Sequence, residues 1–432
     1  MIPAARLSAA IEVLADIETR RRPASDALKD WGLSRRFAGS KDRAALASLV
    51  YDALRRKASA SWIMAEATPR AVVLGMLRLQ RGLDAAAIAS LCSGERFAPA
   101  PLSERERERL DHADLGGAPP HAAGDFPDWI EPSLARAFGE DLVPELQGLA
   151  TRAPLDIRVN ALKASREDAR DALAHLHAEA TPHSPLGLRI PLGEDGRGPA
   201  VQAEPSFIHG QFEIQDEGSQ LAALLTGVKP GEQVVDLCAG SGGKTLALAA
   251  MMANAGQIYA TDSDIRRLAP IHERLQRAGI RNVQVRTPRG RADAVSDLDG
   301  TIDCVLVDAP CTGSGTWRRN PDAKWRLRPG SLSSRLKEQA ATLQRAAELV
   351  RPGGRIVYVT CSILPEENDE AVAGLVERRP ALELAEPKAE LARAGLDPLA
   401  QAARLTSMGV QMTPRRTGTD GFYVAIIRRS AG

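Results

Sequence analysis

The sequence predicts an α/β protein: a doubly wound, mostly parallel sheet in the C-terminal half, preceded by an all-helical domain and a small α+β module. Three observations predict it. Residues 234–245, Val-Val-Asp-Leu-Cys-Ala-Gly-Ser-Gly-Gly-Lys-Thr, read as a buried strand, a glycine turn and a helix start. From Phe212 onward, short β-branched runs alternate with helical periods. In residues 1–100, apolar side chains recur at helix spacing instead, as in Leu7, Ile11, Leu14 and Ile17.

At 432 residues, the chain has room for two or three domains. The expected division is 1–145 helical, 146–212 a small α+β module and 213–432 the sheet domain. Net charge is +1, but residues 1–60 carry 12 Lys and Arg against 7 Asp and Glu. That local excess suits a polyanion, or a solvated helical face equally well. The clusters Arg20-Arg21-Arg22, Arg35-Arg36 and Arg55-Arg56-Lys57 supply it. No run of 18 apolar residues is present, and Met-Ile-Pro-Ala-Ala-Arg lacks a signal-like apolar core. The five cysteines (Cys92, Cys238, Cys304, Cys311, Cys361) form no Cys-x-x-Cys pair. A reducing cytoplasm, no metal and no membrane are therefore the expectation.

Taken in order, Ser40-Lys41-Asp42-Arg43 marks a helix start. Residues 98–127, rich in proline and glycine, read as a linker holding one short charged helix at Ser103–Arg109. Leu155–Val159 alternates as a strand, Ser165 and Asp168 suit a capping arrangement for a helix reaching His177, and Leu188–Ile190 is a second strand. His175, His177, His183 and His209 have no carboxylate or cysteine at ligand spacing, which favours surface histidines. In the sheet domain, strands are expected at 233–237, 257–261, 282–286, 303–308 and 355–360. Helices are expected at 216–226, 243–253, 264–278, 333–350 and 366–378. Residues 421–427 form a closing strand, paired in a hairpin with Val410-Gln411-Met412.

Three ligand readings compete for the glycine loop. A P-loop needs glycine where Cys238 stands, and a dinucleotide fingerprint needs glycine where Thr245 stands. The pattern Asp-x-x-x-Gly-x-Gly of class I methyltransferases is matched by Asp236, Gly240 and Gly242. Further polar stations end later strands: Asp262, then Asp308-Ala-Pro-Cys311, then Thr360-Cys361-Ser362. Carboxyl ends of strands are where open α/β sheets bind ligands. A lone strand-end cysteine is more often a small buried hydrophobe. Two on one rim, beside a methyl-donor loop, suggest thiolate addition at C6 of a pyrimidine, which makes C5 nucleophilic toward a sulfonium methyl.

Gln215-Asp-Glu-Gly-Ser-Gln220, Asp236–Lys244, Asp308-Ala-Pro-Cys-Thr-Gly-Ser-Gly315, Arg318-Arg-Asn-Pro-Asp322, Lys324-Trp325 and Thr360-Cys-Ser362 together resemble the RNA (cytosine-5) methyltransferases of the Sun/Nop2 type. The resemblance covers roughly 150–432. Gly39-Ser-Lys-Asp-Arg43 and Leu49-Val-Tyr-Asp52 more weakly resemble the NusB-like helical RNA-binding domain that precedes the catalytic domain in members acting on bacterial small-subunit ribosomal RNA.

The resemblance implies a class I Rossmann-like S-adenosylmethionine methyltransferase domain acting on C5 of cytosine in RNA, most plausibly 16S rRNA. It makes Cys361 the C6 nucleophile and Cys311 the cysteine that releases product. Asp308 and Lys244 then face the target base or donor pocket, and Cys238, Ala239, Gly240, Ser241, Gly242, Gly243, Lys244, Asp262, Asp293 and Asp308 hold S-adenosylmethionine. The family's Gly-Asp before the fourth strand is missing. Strict counting puts Pro288-Arg289 there; a short insertion gives the role to Asp293, which we favour. Arg286, Arg289 and Arg291 could instead touch RNA. The expected protein is a monomer with an RNA partner. The alternatives are a tRNA enzyme, or a non-catalytic RNA-binding assembly factor that would need neither the cysteine pair nor the donor loop.

Overall fold

The computed structural model describes residues 1–193, 196–288 and 293–431. The chain forms two compact units: Met1–Arg152 with Thr316–Leu327, and Ala153–Gly315 with Arg328–Gly432.

The first unit is helical. Helices Pro3–Arg20, Ala24–Ser34, Ser40–Arg55, Lys57–Met64, Pro69–Leu79 and Ala85–Leu91 enclose Leu7, Leu14, Ile17, Leu46, Val50, Leu74, Met76 and Ile88. Thr68 and Asp84 cap two of these helices with side-chain oxygens. Where Lys57–Met64 meets Pro69–Leu79, a Cβ on Gly75 would stand 2.8 Å from Ala60, so only glycine permits that approach.

Residues 98–127 are not a linker. The charged helix Glu104–Asp111 does form, with a capping box between Ser103 and Glu106. But Leu110 and Phe126 are fully buried, and Asp125 accepts hydrogen bonds from the Ser59 amide and hydroxyl. A few apolar anchors outweigh a loop-like average composition.

Residues 316–327 belong with these helices although they lie far along the chain. Lys324 is buried and donates to the carbonyls of Arg55 and Asp125. Burial pulls its pKa down to about 7. The Trp325 indole donates to the Leu54 carbonyl, and Asp322 accepts from the Ala24 amide.

The second unit holds two sheets. Strands β1 (Leu155–Val159), β2 (Glu179–Ala180), β3 (Gly187–Ile190) and β4 (Phe212–Ile214) form an antiparallel sheet in the order β2-β3-β1-β4. Its inner face carries Ile157, Val159, Leu188, Ile190 and Phe212. The capping box of Ser165 and Asp168 forms, but its helix stops at Ala172 and continues only as a short 3-10 turn.

The larger sheet contains β5 (Gln233–Asp236), β6 (Gln257–Ala260), β7 (Val283–Val285), β8 (Ile302–Asp308), β9 (Val350–Thr360), β10 (Leu382–Leu384), β11 (Arg404–Leu405), β12 (Val410–Gln411) and β13 (Tyr423–Arg429). The order is β11-β12-β13-β9-β8-β5-β6-β7, with β10 also on β13. Strands β5 to β9 pair in parallel, whereas β13 runs antiparallel to β9 and to β12. The chain winds outward both ways from β5, which sets the ligand crevice at its carboxyl end. Two details differ from expectation. The helix expected over 264–278 is broken into Ile265–Leu268 and Ile271–Ala278 by Pro270, which has no N–H to continue the ladder. The strand expected at 355–360 begins at Val350, running through Pro352-Gly353-Gly354 with a register shift against β8.

Candidate active site

The site is built from the carboxyl ends of β5, β6, β8 and β9. After β5 the chain turns through Gly240 (φ +50°) and Gly242 (φ +87°) into the helix Gly243–Met251. At Gly242 a Cβ would lie 2.5 Å from the Ile271 side chain, so glycine is required for both conformation and space. Two arginines hold the loop's carbonyls. Arg274 donates to the Ser241 carbonyl and hydroxyl, both at 2.8 Å, and pairs with Glu213 at 2.9 Å. Buried Arg158 donates to the Gly243 carbonyl at 2.9 Å and to Gln215 at 2.7 Å. The small module's β1 and β4 thereby brace the loop.

Asp262, just beyond β6, is buried and accepts the Gly240 amide at 2.9 Å on one oxygen and the Asp264 amide at 2.9 Å on the other. The Ala239 amide donates to the Thr261 carbonyl. Asp236 is buried beneath the loop, bonded to the Thr245 hydroxyl at 2.7 Å, and burial pushes its carboxyl up to about 7. Cys238 is pushed well above the ordinary thiol range by burial and by neighbouring acids, so it stays a thiol.

Lys244, on the first turn of the loop's helix, donates to Asp308 at 2.8 Å and stands 5.1 Å over the Phe422 ring. Asp308 ends β8. Beyond it, the Cys311 sulfur lies 3.4 Å from the Cys361 sulfur at the end of β9. The Gly315 amide donates to the Cys361 carbonyl at 2.9 Å. The hydrogen bond to Cys361, reinforced by burial, holds Cys311 well above the ordinary thiol pKa.

The structure thus brings together residues 238–244 with Asp262, Lys244 with Asp308, and Cys311 with Cys361. Asp293 accepts the Val295 amide and pairs with Arg345 at 2.6 Å. Arg289 and Arg291 lie outside the described residues. Arg286 stacks over Tyr259, 4.4 Å from the ring centre. Arg158, Arg274 and Glu367 are partners of the site that the motifs do not single out. Their signal is three-dimensional, except that polar Thr312 and Ser362 follow the two cysteines directly. Among the described residues, no group of three or more His, Cys, Asp or Glu could hold a metal ion. No helix there is long and apolar enough to cross a membrane.

The donor set fits the S-adenosyl group that the motifs imply. Glycines let backbone approach a ligand, and among the described residues the helix beginning at Gly243 has no side-chain cap over its first amides.

Comparison with known proteins agrees. The 16S rRNA methyltransferase RsmB/F model matches residues 223–428, and the RsmF/B-like ferredoxin-like domain matches 126–193. "Probable ribosomal RNA small subunit methyltransferase B" of Synechocystis sp. is 31% identical over 313 residues, spanning 71% of this chain and 67% of that protein. Ribosomal RNA small subunit methyltransferase B of Sodalis glossinidius is 31% identical over 331 residues, 77% of this chain and 69% of its own. The crystal structure of PH0851 superposes with TM-score 0.71 and 25% identity over 99% of both chains. A methyltransferase homolog protein from Pyrococcus horikoshii gives TM-score 0.58 and 28% identity, over 72% of this chain and 97% of its own. On its motifs, its sheet and this shared length, the chain belongs to the 16S rRNA methyltransferase RsmB/F family.

Proposed function

We propose that the protein methylates C5 of a cytosine in small-subunit ribosomal RNA, using S-adenosylmethionine, through a covalent bond between Cys361 and C6 of the base. The observation that carries this reading is the pair of thiols 3.4 Å apart at the ends of adjacent parallel strands, on the same edge as the donor loop. A methyltransferase acting on an already nucleophilic atom needs neither thiol.

The residues divide the work as follows. Residues 238–244 and Asp262 hold S-adenosylmethionine, which supplies a methyl carbon on a positively charged sulfur. The target cytosine leaves its stack, at a cost of a few kcal/mol that contacts in the site offset. Asp308, fixed by Lys244, accepts from the exocyclic amine of the base. The Cys361 thiolate adds to C6, its charge supported by the Cys311 thiol. Addition makes C5 of the base nucleophilic, and S-adenosylmethionine held at residues 238–244 would supply the methyl group that C5 takes.

Release requires loss of the C5 proton and cleavage of the C6–S bond. Once Cys361 is bound to carbon, the first cause holding Cys311 protonated has weakened. The Cys311 thiol then ionises more readily, releasing its proton to solvent water, and the resulting thiolate takes the C5 proton as the Cys361 thiolate departs. The helical unit, with its basic N-terminal helices, and the four-stranded module contact RNA phosphates.

Two variants test this. Cys361→Ala abolishes methyl transfer and leaves donor binding; sustained turnover contradicts the nucleophile. Cys311→Ala traps an enzyme–RNA adduct that survives a denaturing gel; a freely dissociating, active variant contradicts the release role.

A further inference from the structure

Glu367 lies in the short 3-10 turn after β9, is fully buried, and bonds to both cysteine-bearing loops. One carboxylate oxygen accepts the Thr312 amide at 2.8 Å and the Gln339 amide group at 3.1 Å. The other accepts the Thr312 hydroxyl and the Ser362 hydroxyl, both at 2.5 Å. Thr312 follows Cys311, and Ser362 follows Cys361. Gln339 also donates to the carbonyl of Pro310, which precedes Cys311. The Tyr358 hydroxyl holds the backbone carbonyl of Glu367.

We propose that Glu367 is a positioning residue that sets the Cys311 and Cys361 sulfurs against each other. The chemistry explains why an acid stands there. All four contacts come from donors, and an ionised carboxylate is the side chain that only accepts. All four partners are neutral, so the buried charge is a poor stabiliser of the fold. Burial accordingly raises its carboxyl above the ordinary range. What the carboxylate achieves is registry: one rigid planar group spans the residues next to both thiols.

The proposal rests on the two-cysteine mechanism above and predicts a particular failure. Without Glu367, Thr312 beside Cys311 loses both its contacts to the carboxylate and Gln339 loses one, while Ser362 beside Cys361 loses one and its carbonyl keeps the bonds from Asn368 and Gln411. Cys361 still adds to the base, but Cys311 no longer meets the C5 proton. Glu367→Ala therefore accumulates covalent enzyme–RNA adduct with both cysteines present. Its turnover falls about 100-fold, the scale for a reacting group displaced by roughly 1 Å. Donor affinity, set at the glycine loop with which Glu367 shares no hydrogen bond among its contacts above, stays within about twofold. Glu367→Gln restores most turnover and clears the adduct, because its amide can donate to the Thr312 and Ser362 hydroxyls while its carbonyl still accepts from Thr312 and Gln339.

The experiment compares wild type, C311A, E367A, E367Q and T312V in full-length protein, with unmodified small-subunit rRNA and S-adenosylmethionine, reading adduct, turnover and donor affinity. C311A is the reference. If C311A fails to trap adduct, the two-cysteine mechanism fails, whatever E367A does. If C311A traps adduct while E367A does not, or if E367A loses donor binding together with turnover, the positioning role is overturned. Should E367A not fold, T312V carries the test: adduct accumulation supports the proposal and wild-type release overturns it.

Discussion

Asp236→Asn tests the electrostatics beneath the donor loop. The Asp236 carboxyl is fully buried, and burial lifts its pKa from 3.8 to about 7. Between those values, the folded protein retains a proton that the unfolded chain has released. A carboxyl raised in this way contributes stability that is complete below pH 3.8 and lost as pH rises through about 7. At about 1.4 kcal/mol for each pH unit, the full loss is on the order of 4 kcal/mol, of which about 2 kcal/mol falls between pH 5 and 7. Asparagine cannot ionise, so it removes the slope. Urea unfolding of the cofactor-free protein and the variant at pH 5, 6, 7 and 8 measures both curves. Whatever the offset at pH 5, the variant should gain about 2 kcal/mol on wild type by pH 7 and level off above it. Parallel curves would show that Asp236 ionises like an ordinary carboxylate and would refute the reasoning.

Other perturbations reach the remaining parts of the site. Lys244→Met keeps the stem over Phe422 but removes the charge 2.8 Å from Asp308, and single-turnover methyl transfer should slow about 100-fold. An unchanged rate would remove the pair from the chemistry. Gly315→Ala places a Cβ 2.0 Å from the Gly421 carbonyl oxygen, backbone against backbone. It should cost about 1–3 kcal/mol in stability and disturb the Gly315–Cys361 hydrogen bond; an unaltered melting temperature and rate would contradict that close approach.

The main features of the larger sheet were legible because each rested on a local signal. Strand runs ended in acids or cysteines, and glycines stood where the backbone turns left-handed at 240 and 242. The two thiols could be placed on one rim from the βα alternation alone. What stayed hidden depended on distant partners. Residues 98–127 read as a linker because Leu110, Asp125 and Phe126 reveal themselves only through what they pack against. Pro270 lies inside the helix expected over 264–278 and, lacking an N–H, divides it into two. Glu366 and Glu367 are adjacent acids at the start of the expected 366–378 helix, and only the fold sets Glu367 between two cysteine loops. Arg158 and Arg274 were ordinary cations until the chain brought them to the loop's carbonyls.

The central claim is the transfer of a methyl group to C5 of cytosine in small-subunit rRNA. Its most direct test is incubation with S-adenosylmethionine labelled in the methyl group and, separately, unmodified small-subunit rRNA, unmodified tRNA and assembled small subunits. Nucleoside analysis then reads the product. The account predicts label as 5-methylcytidine in the rRNA and not in the tRNA. Label in another nucleoside, label confined to tRNA, or no label in any of the three despite measurable donor binding would contradict it.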